Sequence, residues 1–275
     1  MSVLEVRNLV KQFDNVLAVD DLSFSVSSGE IFGFLGGNGA GKTTTLRMVL
    51  DIIRPTSGKI TVLGGAPDRR QANAIGFLPE ERGLYPGMSA IDTIIYFGRL
   101  NMSKGMAQKV QLATALVNDP DLLMLDEPFS GLDPVNQGLL EDEILEASSR
   151  GAAVIFSTHV MQHAERLCDR LLLLRKGSKR FEGTLSEARA QLPATIMAVA
   201  KVDLASLPGV ASAEQVGMDD DGWPEWRVAL NRGVPAGNVL EHCSSNGIAL
   251  RRWDERSASL HDIFVQLVGD EGVQA

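Results

Sequence analysis

Cysteine is nearly missing from this sequence, aromatics are few, and no long apolar run occurs; each shortage closes off a class of protein. Cys168 and Cys243 are the only two cysteines in 275 residues, and neither stands in a C-x-x-C or nucleophile-like setting. A disulfide scaffold is thereby excluded, and two reduced, packed thiols in a cytosolic protein fit best. No apolar stretch approaches the ~18–20 residues that a membrane-crossing helix needs. The opening Met1-Ser2-Val3-Leu4-Glu5 also lacks the charged-then-apolar layout of a secretory leader. The chain reads as cytoplasmic. Basic residues are outnumbered, 26 Lys and Arg against 35 Asp and Glu, leaving a formal net charge of −9. That balance supplies no broad positive field for phosphodiester backbones, so no nucleic-acid partner is expected.

A hydrophobic content of 44% suffices for one medium domain and one small one. The most informative stretch is Gly36-Gly37-Asn38-Gly39-Ala40-Gly41-Lys42-Thr43-Thr44, set between an apolar strand-like run (31–35) and a helix-like one (44–50). The pattern G-x-x-x-x-G-K-[ST] needs small residues because the backbone must wrap a polyphosphate, turning amide N–H groups and a helix N-terminus toward negative oxygens. Lys42 would then reach the β- and γ-phosphates and Thr43 would hold Mg2+. At a glycine frequency of about 7%, chance produces such a pattern in roughly one per cent of chains this long, so chance is a poor explanation.

Before the loop, residues 4–26 alternate apolar and polar around turn residues Asp14-Asn15, which predicts antiparallel strands. Phe13, at that turn, reads either as a half-buried strand aromatic or as a platform for a purine base. After the loop, the pattern predicts a helix to about 53, strands at 59–63 and 75–78, and helices at 90–100 and from 102 to about 117. Leu122-Leu123-Met124-Leu125 is a buried strand that delivers Asp126 and Glu127 at its C-terminal end. Ligands of open α/β sheets bind beyond strand ends, so these carboxylates belong beside the phosphate loop. One would serve Mg2+ and the other would orient an attacking water. A parallel strand at 152–156 would bring His159 to the same edge, followed by a helix at 161–168. His159 and His163, four apart, could alternatively share a helix face as a zinc pair. Strands at 170–174 and 179–181 and a helix at 186–191 complete this part.

Taken together, these residues resemble the ATP-binding subunit of an ABC transporter, over roughly residues 3–192. The ordered set carries the likeness: the phosphate loop, Ser103-Lys104-Gly105-Met106 as a signature-like segment, Asp126-Glu127, Ser130-Gly131-Leu132-Asp133, and His159. The resemblance implies a P-loop α/β fold of ABC type, with a mixed sheet core, an antiparallel β subdomain and a helical subdomain. It also implies ATP and Mg2+ as ligands. Phe13 would stack on adenine; Gly36, Asn38, Gly39, Ala40, Gly41, Lys42, Thr43 and Thr44 would cradle phosphate. Thr43, Glu80 and Asp126 would serve the metal, with Glu127 as general base and His159 as switch residue. Ser103, Gly105 and Asp133 would act across the interface with a second copy of the chain. An integral-membrane permease would be the other partner, holding the chain on the inner face of the membrane.

Three departures from the family pattern stand out: Gly37 where proline is common, Glu80 where glutamine is common, and only 22 residues between Glu80 and Ser103. That last interval usually holds several helices, so the helical subdomain is reduced. The leading expectation is an ATP-hydrolysing export subunit. The alternatives are a nucleotide-binding regulatory subunit with little turnover and, against the acidic balance, an ATPase acting on ribosomes or DNA.

Past residue 193 the pattern changes to β-α-β-β-α-β, a small split-βαβ, ferredoxin-like domain over 193–275. Asp219-Asp220-Asp221-Gly222 reads as its hairpin turn rather than a calcium site. This part resembles the accessory domain of export-type ABC ATPases of the sodium and drug efflux class, on the ending Ser259-Leu260-His261-Asp262-Ile263-Phe264.

Overall fold

The computed structural model describes residues 2–80, 112, 114–192, 195–231, 233–256 and 258–269. The expected helices at 90–100 and from 102 onward, with Ser103 and Gly105, lie outside the described residues apart from the last helical turn at 114–116. Residues up to Leu185 and from Gln266 onward form one compact unit, and Ser186–Val265 form a second.

In the first unit, β1 (Ser2–Phe13) pairs antiparallel with β2 (Val16–Ser27), closing a hairpin at the pair Phe13 and Val16. Alternation puts Leu4, Val6, Leu9, Leu22, Phe24 and Val26 on the buried face. The other edge of β1 pairs with β4 (Ser57–Val62).

A second sheet carries the site. Its order is β5 (Ile75–Leu78), β6 (Leu122–Asp126), β7 (Ala153–Thr158), β3 (Ile31–Leu35), β8 (Arg170–Arg175) and β9 (Ser178–Gly183). All neighbours are parallel except β8 and β9. Uninterrupted apolar runs form β3 and β6 because parallel strands are covered on both faces, and every residue of the two is buried. The register pairs Leu35 with Thr158 and Asp126 with Ser157, so the C-terminal ends of β3, β6 and β7 emerge side by side.

Several boundaries differ from expectation. The helix after the phosphate loop, α1 (Lys42–Val49), stops four residues early because Asp51 turns into the left-handed region at φ 56°. β7 runs two residues further than its apolar stretch, so Ser157 and Thr158 are buried strand residues. Between the carboxylates and β7 lies α2 (Pro134–Ser149), and after β7 comes α3 (Met161–Leu167). His159 therefore precedes the helix that carries His163, and the two do not share a helix face. The helix after β9, α4, is short, Leu185–Arg189.

The second unit is a four-stranded antiparallel sheet of order β11 (Val210–Met218), β12 (Pro224–Leu230), β10 (Thr195–Ala200) and β13 (Leu250–Arg256). With β12 between β10 and β11, this is the split order the pattern predicts. Its first helix is only a 3-10 turn, Leu204–Ser206, capped by the Asp203 carboxylate accepting from Ala205 N–H at 2.9 Å. The second, α5 (Ala236–Ser245), packs Ala236, Val239 and Cys243 into a core with Ile196, Ala198 and Val228. The last helix among the described residues is α6 (Leu260–Val268). No helix among the described residues is long and apolar enough to cross a membrane.

Candidate active site

The loop from Gly36 to Gly41 joins β3 to α1, and the glycines at its two ends are required by contact. At Gly41 φ is 98°, and a Cβ there would stand 2.5 Å from the Ala18 carbonyl oxygen; at Gly36 it would stand 2.8 Å from that of Leu174. At these two points the loop lies against β2 and β8 with no room for a side chain. Thr45 N–H and its hydroxyl both donate to the Gly41 carbonyl, at 3.0 and 2.9 Å, which fixes the first turn of α1. The amides of that turn face the loop, a setting that favours anions.

Lys42 is buried, and its ammonium donates to the Gly36 carbonyl at 2.6 Å. It also stands 3.3 Å from Oε1 of Glu127, a buried partner just past the end of β6. Glu127 has φ 47°, a left-handed conformation uncommon for a residue with a long side chain. Its other oxygen, Oε2, is 2.9 Å from Nδ1 of His159. An ionised carboxylate only accepts, so Nδ1 of His159 carries the proton in that contact. Lys42, Glu127 and His159 thus form one chain of charge and hydrogen bonds.

Ser157 ties the Asp126 carboxylate to the Glu127 backbone. Its hydroxyl donates to Asp126 Oδ1 at 2.5 Å and accepts from the Glu127 N–H at 2.9 Å. Sequence reasoning missed this role; the serine's position at the end of a buried strand, beside the histidine, was the available signal.

A cavity of about 490 Å³ opens over the loop, lined by Phe13, Val16, Leu17, Ala18, residues 37–44, Glu80 and Glu127. Its volume falls in the range of small-molecule sites. One end is apolar, from the hairpin tip, and the other carries Lys42 and the helix start, a division that suits a base and its phosphates. The Lys11 ammonium lies 4.7 Å from the Phe13 ring centroid and so occupies one face of it. Val16 and Leu17 were not anticipated; they follow from the hairpin that places β2's first residues opposite Phe13.

Of the expected site residues, Phe13, Asn38, Gly39, Ala40, Gly41, Lys42, Thr43, Thr44, Glu80 and Glu127 meet at this cavity. Gly36 does not line the cavity but accepts from Lys42, Asp126 is tied to Ser157, and His159 joins through Glu127. Asp133 caps α2 instead, accepting from Asn136 N–H at 3.0 Å. The hydroxyl of Thr43 and the carboxylates of Glu80 and Asp126 are hard oxygen donors, the type Mg2+ takes. Among the described residues no three His, Cys, Asp or Glu side chains cluster closely enough to hold a metal by themselves. The fit is thus to a cation shared with phosphate oxygens and water, the usual habit of Mg2+.

Comparison with known proteins agrees with this geometry. The family described as ABC transporter matches residues 19–94, and one described as AAA domain, putative AbiEii toxin, Type IV TA system matches residues 93–161. The uncharacterized ABC transporter ATP-binding protein YhaQ of Bacillus subtilis (strain 168) is 34% identical over 304 residues, covering 97% of this chain and 99% of that one. Because that alignment is longer than the 275-residue chain, the relative carries residues that this chain lacks. Nod factor export ATP-binding protein I of Burkholderia orbicola (strain AU 1054) is 31% identical over 310 residues, covering 98% and 97%. A solved structure titled "Structure of ATP binding subunit of ABC transporter" superimposes with a TM-score of 0.61 and 29% identity, over 69% of this chain and 92% of that one. With a phosphate loop, a buried acidic pair and a relative matched end to end, the chain belongs to the ABC transporter ATP-binding proteins, a family of P-loop ATPases.

Proposed function

We propose that this chain is the ATP-hydrolysing subunit of an export system, working as two copies on a separate integral-membrane permease at the inner face of the membrane. The observation that carries the reading is Glu127, held at the cavity between the Lys42 ammonium and the His159 imidazole. In hydrolysis, Phe13 stacks on the base, and the amides of residues 37–44 and Lys42 take the phosphates. Glu127 accepts a proton from the attacking water as its oxygen bonds to the γ-phosphorus and the bond to the β-phosphate bridging oxygen breaks. His159 orients Glu127 and can reach the γ-phosphate; Thr43, Glu80 and Asp126 would hold Mg2+, which would supply neutralisation of phosphate charge. Ser103, Gly105 and Asp133 act on the nucleotide held by the other copy, and residues 193–275 form an accessory domain for contact or regulation.

The export direction is supported by the near full-length likeness to the Nod factor export protein, which extends through the second unit. A nucleotide-binding subunit with slow turnover is the second reading, favoured by the residues this chain lacks relative to YhaQ and by the short interval between Glu80 and Ser103. Measuring ATP affinity and phosphate release for the purified chain, alone and with a partner permease, separates the two. Tight binding with no release in either setting favours the slow subunit. Failure of Glu127→Gln to dimerise with ATP in sedimentation experiments would count against the two-copy arrangement.

A further inference from the structure

Three residues before the Asp133 cap and two after Glu127 lie Ser130 and Phe129, in a tight turn where Ser130 N–H donates to the Glu127 carbonyl at 3.2 Å. Phe129 is buried and sits between two rings. Phe156 of β7 meets it edge-on at 5.8 Å, and the His163 imidazole lies flat against it at 3.9 Å with 8° between planes. His163 is itself buried, on α3, and its Nδ1 is 3.1 Å from Oε1 of Glu141 on α2. Arg166 binds the same carboxylate and stands 3.3 Å from that nitrogen.

A leucine or phenylalanine would fill this space without desolvating an imidazole and a carboxylate. What the polar pair adds is direction: the hydrogen bond to Glu141 holds the ring plane parallel to Phe129. The consequence reaches two residues of the site. Phe129 shares a turn with Glu127, and α3 begins two residues after His159, whose side chain is 56% exposed and so is not oriented by packing. The 2.9 Å contact between Glu127 and His159 therefore depends on how the turn and α3 are set against each other.

We infer that His163 is a positioning residue for ATP hydrolysis: stacked on Phe129 and fixed by Glu141, it holds the Glu127 turn and the His159 turn in register. The role rests on the reading of Glu127 as general base. The cluster lies outside the cavity, so it acts on the rate of the chemical step and not on nucleotide binding.

The test uses His163→Ala, His163→Phe and His163→Gln in the full chain, with two readouts. Steady-state phosphate release separates kcat from KM, and the imidazole NMR signals report His159 directly, since the chain has only four histidines. His163→Ala is expected to lower kcat about tenfold or more, the scale of a small misplacement of reacting groups, with KM for ATP within about twofold. His163→Phe, which keeps a flat ring, stays nearest the parent in both readouts. His163→Gln, which keeps a donor but no ring, moves the His159 signal as His163→Ala does. An unmoved His159 signal in His163→Ala, or His163→Gln closer to the parent than His163→Phe, overturns the inference. Should His163→Ala not fold, the order of the other two decides. Glu127→Gln run alongside keeps the two readings apart: parental turnover in it removes the base assignment, while the His159 signal still reports on His163.

Discussion

In the six-stranded sheet, the parallel strands β3, β6 and β7 are buried from end to end, and their polar side chains come only where the strands finish, at Asp126, Ser157 and Thr158, with Glu127 and His159 just beyond. In the four-stranded sheet of the second unit, charges stand in the middle of strands. Glu214 of β11 lies opposite Arg227 of β12 with 3.9 Å between them, and Glu225 and Arg252 meet over Val199 of β10. At the β11–β12 turn, Arg251 binds both Asp219 and Asp221, and the Trp223 N–H and the Arg251 guanidinium together hold the Asp219 carboxyl below its ordinary range. Charge in the second unit is spent on its own partners. Charges in the first also pair locally, as Arg170 does with Glu30 and Glu182, but its buried pair, Lys42 and Glu127, stands beside the cavity, where each depends on the other and both are available to a ligand.

Four measurements sharpen or break that contrast. Glu127→Gln has the largest expected effect, a loss of about 10²–10⁴ in phosphate release with ATP still bound, because it removes the proton acceptor, and with it the negative charge beside Lys42. Ile196→Ala, in the core of the second unit, should cost about 2–5 kcal/mol of stability and leave ATP affinity unaltered. Tryptophan fluorescence in denaturant reads this unit by itself, since Trp223, Trp226 and Trp253 all fall within it. A parallel loss of ATP affinity would show that the two units are not separable in the way their charges suggest. Lys42→Ala should weaken ATP binding by about 10–100-fold, the worth of charged hydrogen bonds of about 1.5–3 kcal/mol, in a titration with a fluorescent nucleotide. Arg252→Ala should lower the unfolding free energy from denaturant titration by no more than about 1 kcal/mol, because the pair it breaks with Glu225 is partly exposed.

Much of the site was legible because its signals are local. The spacing of Gly36, Gly41 and Lys42, and an apolar run ending in Asp126-Glu127, each follow from one segment's own chemistry. The end of α1 was not legible: residues 50–53 continue a helical apolar pattern, and only Asp51 adopting φ 56° breaks it. The extent of β7 was hidden for a different reason. Ser157 and Thr158 are polar, and their burial is made possible by partners: the Glu127 N–H, thirty residues away, and the Asp126 carboxylate for Ser157, and the Val160 N–H for Thr158. Stacking of His163 on Phe129 likewise joins two segments through a turn, a contact that periodicity does not encode. Within the second unit, the strand order followed from the pattern, whereas the loss of its first helix to a 3-10 turn reflects Pro208 and Gly209, the latter at φ 89°, cutting the segment short.

The left-handed backbone at Glu127 has a consequence for anyone selecting this protein for robustness. A non-glycine residue held there carries a conformational cost of order 1–3 kcal/mol, which glycine would not bear. Relieving that strain with glycine would also leave the buried Lys42 ammonium without its carboxylate, so the strain is held in place by the same ion pair that faces the cavity. Stability and turnover meet in this one residue, so any stabilising campaign on this chain has to be scored on phosphate release as well.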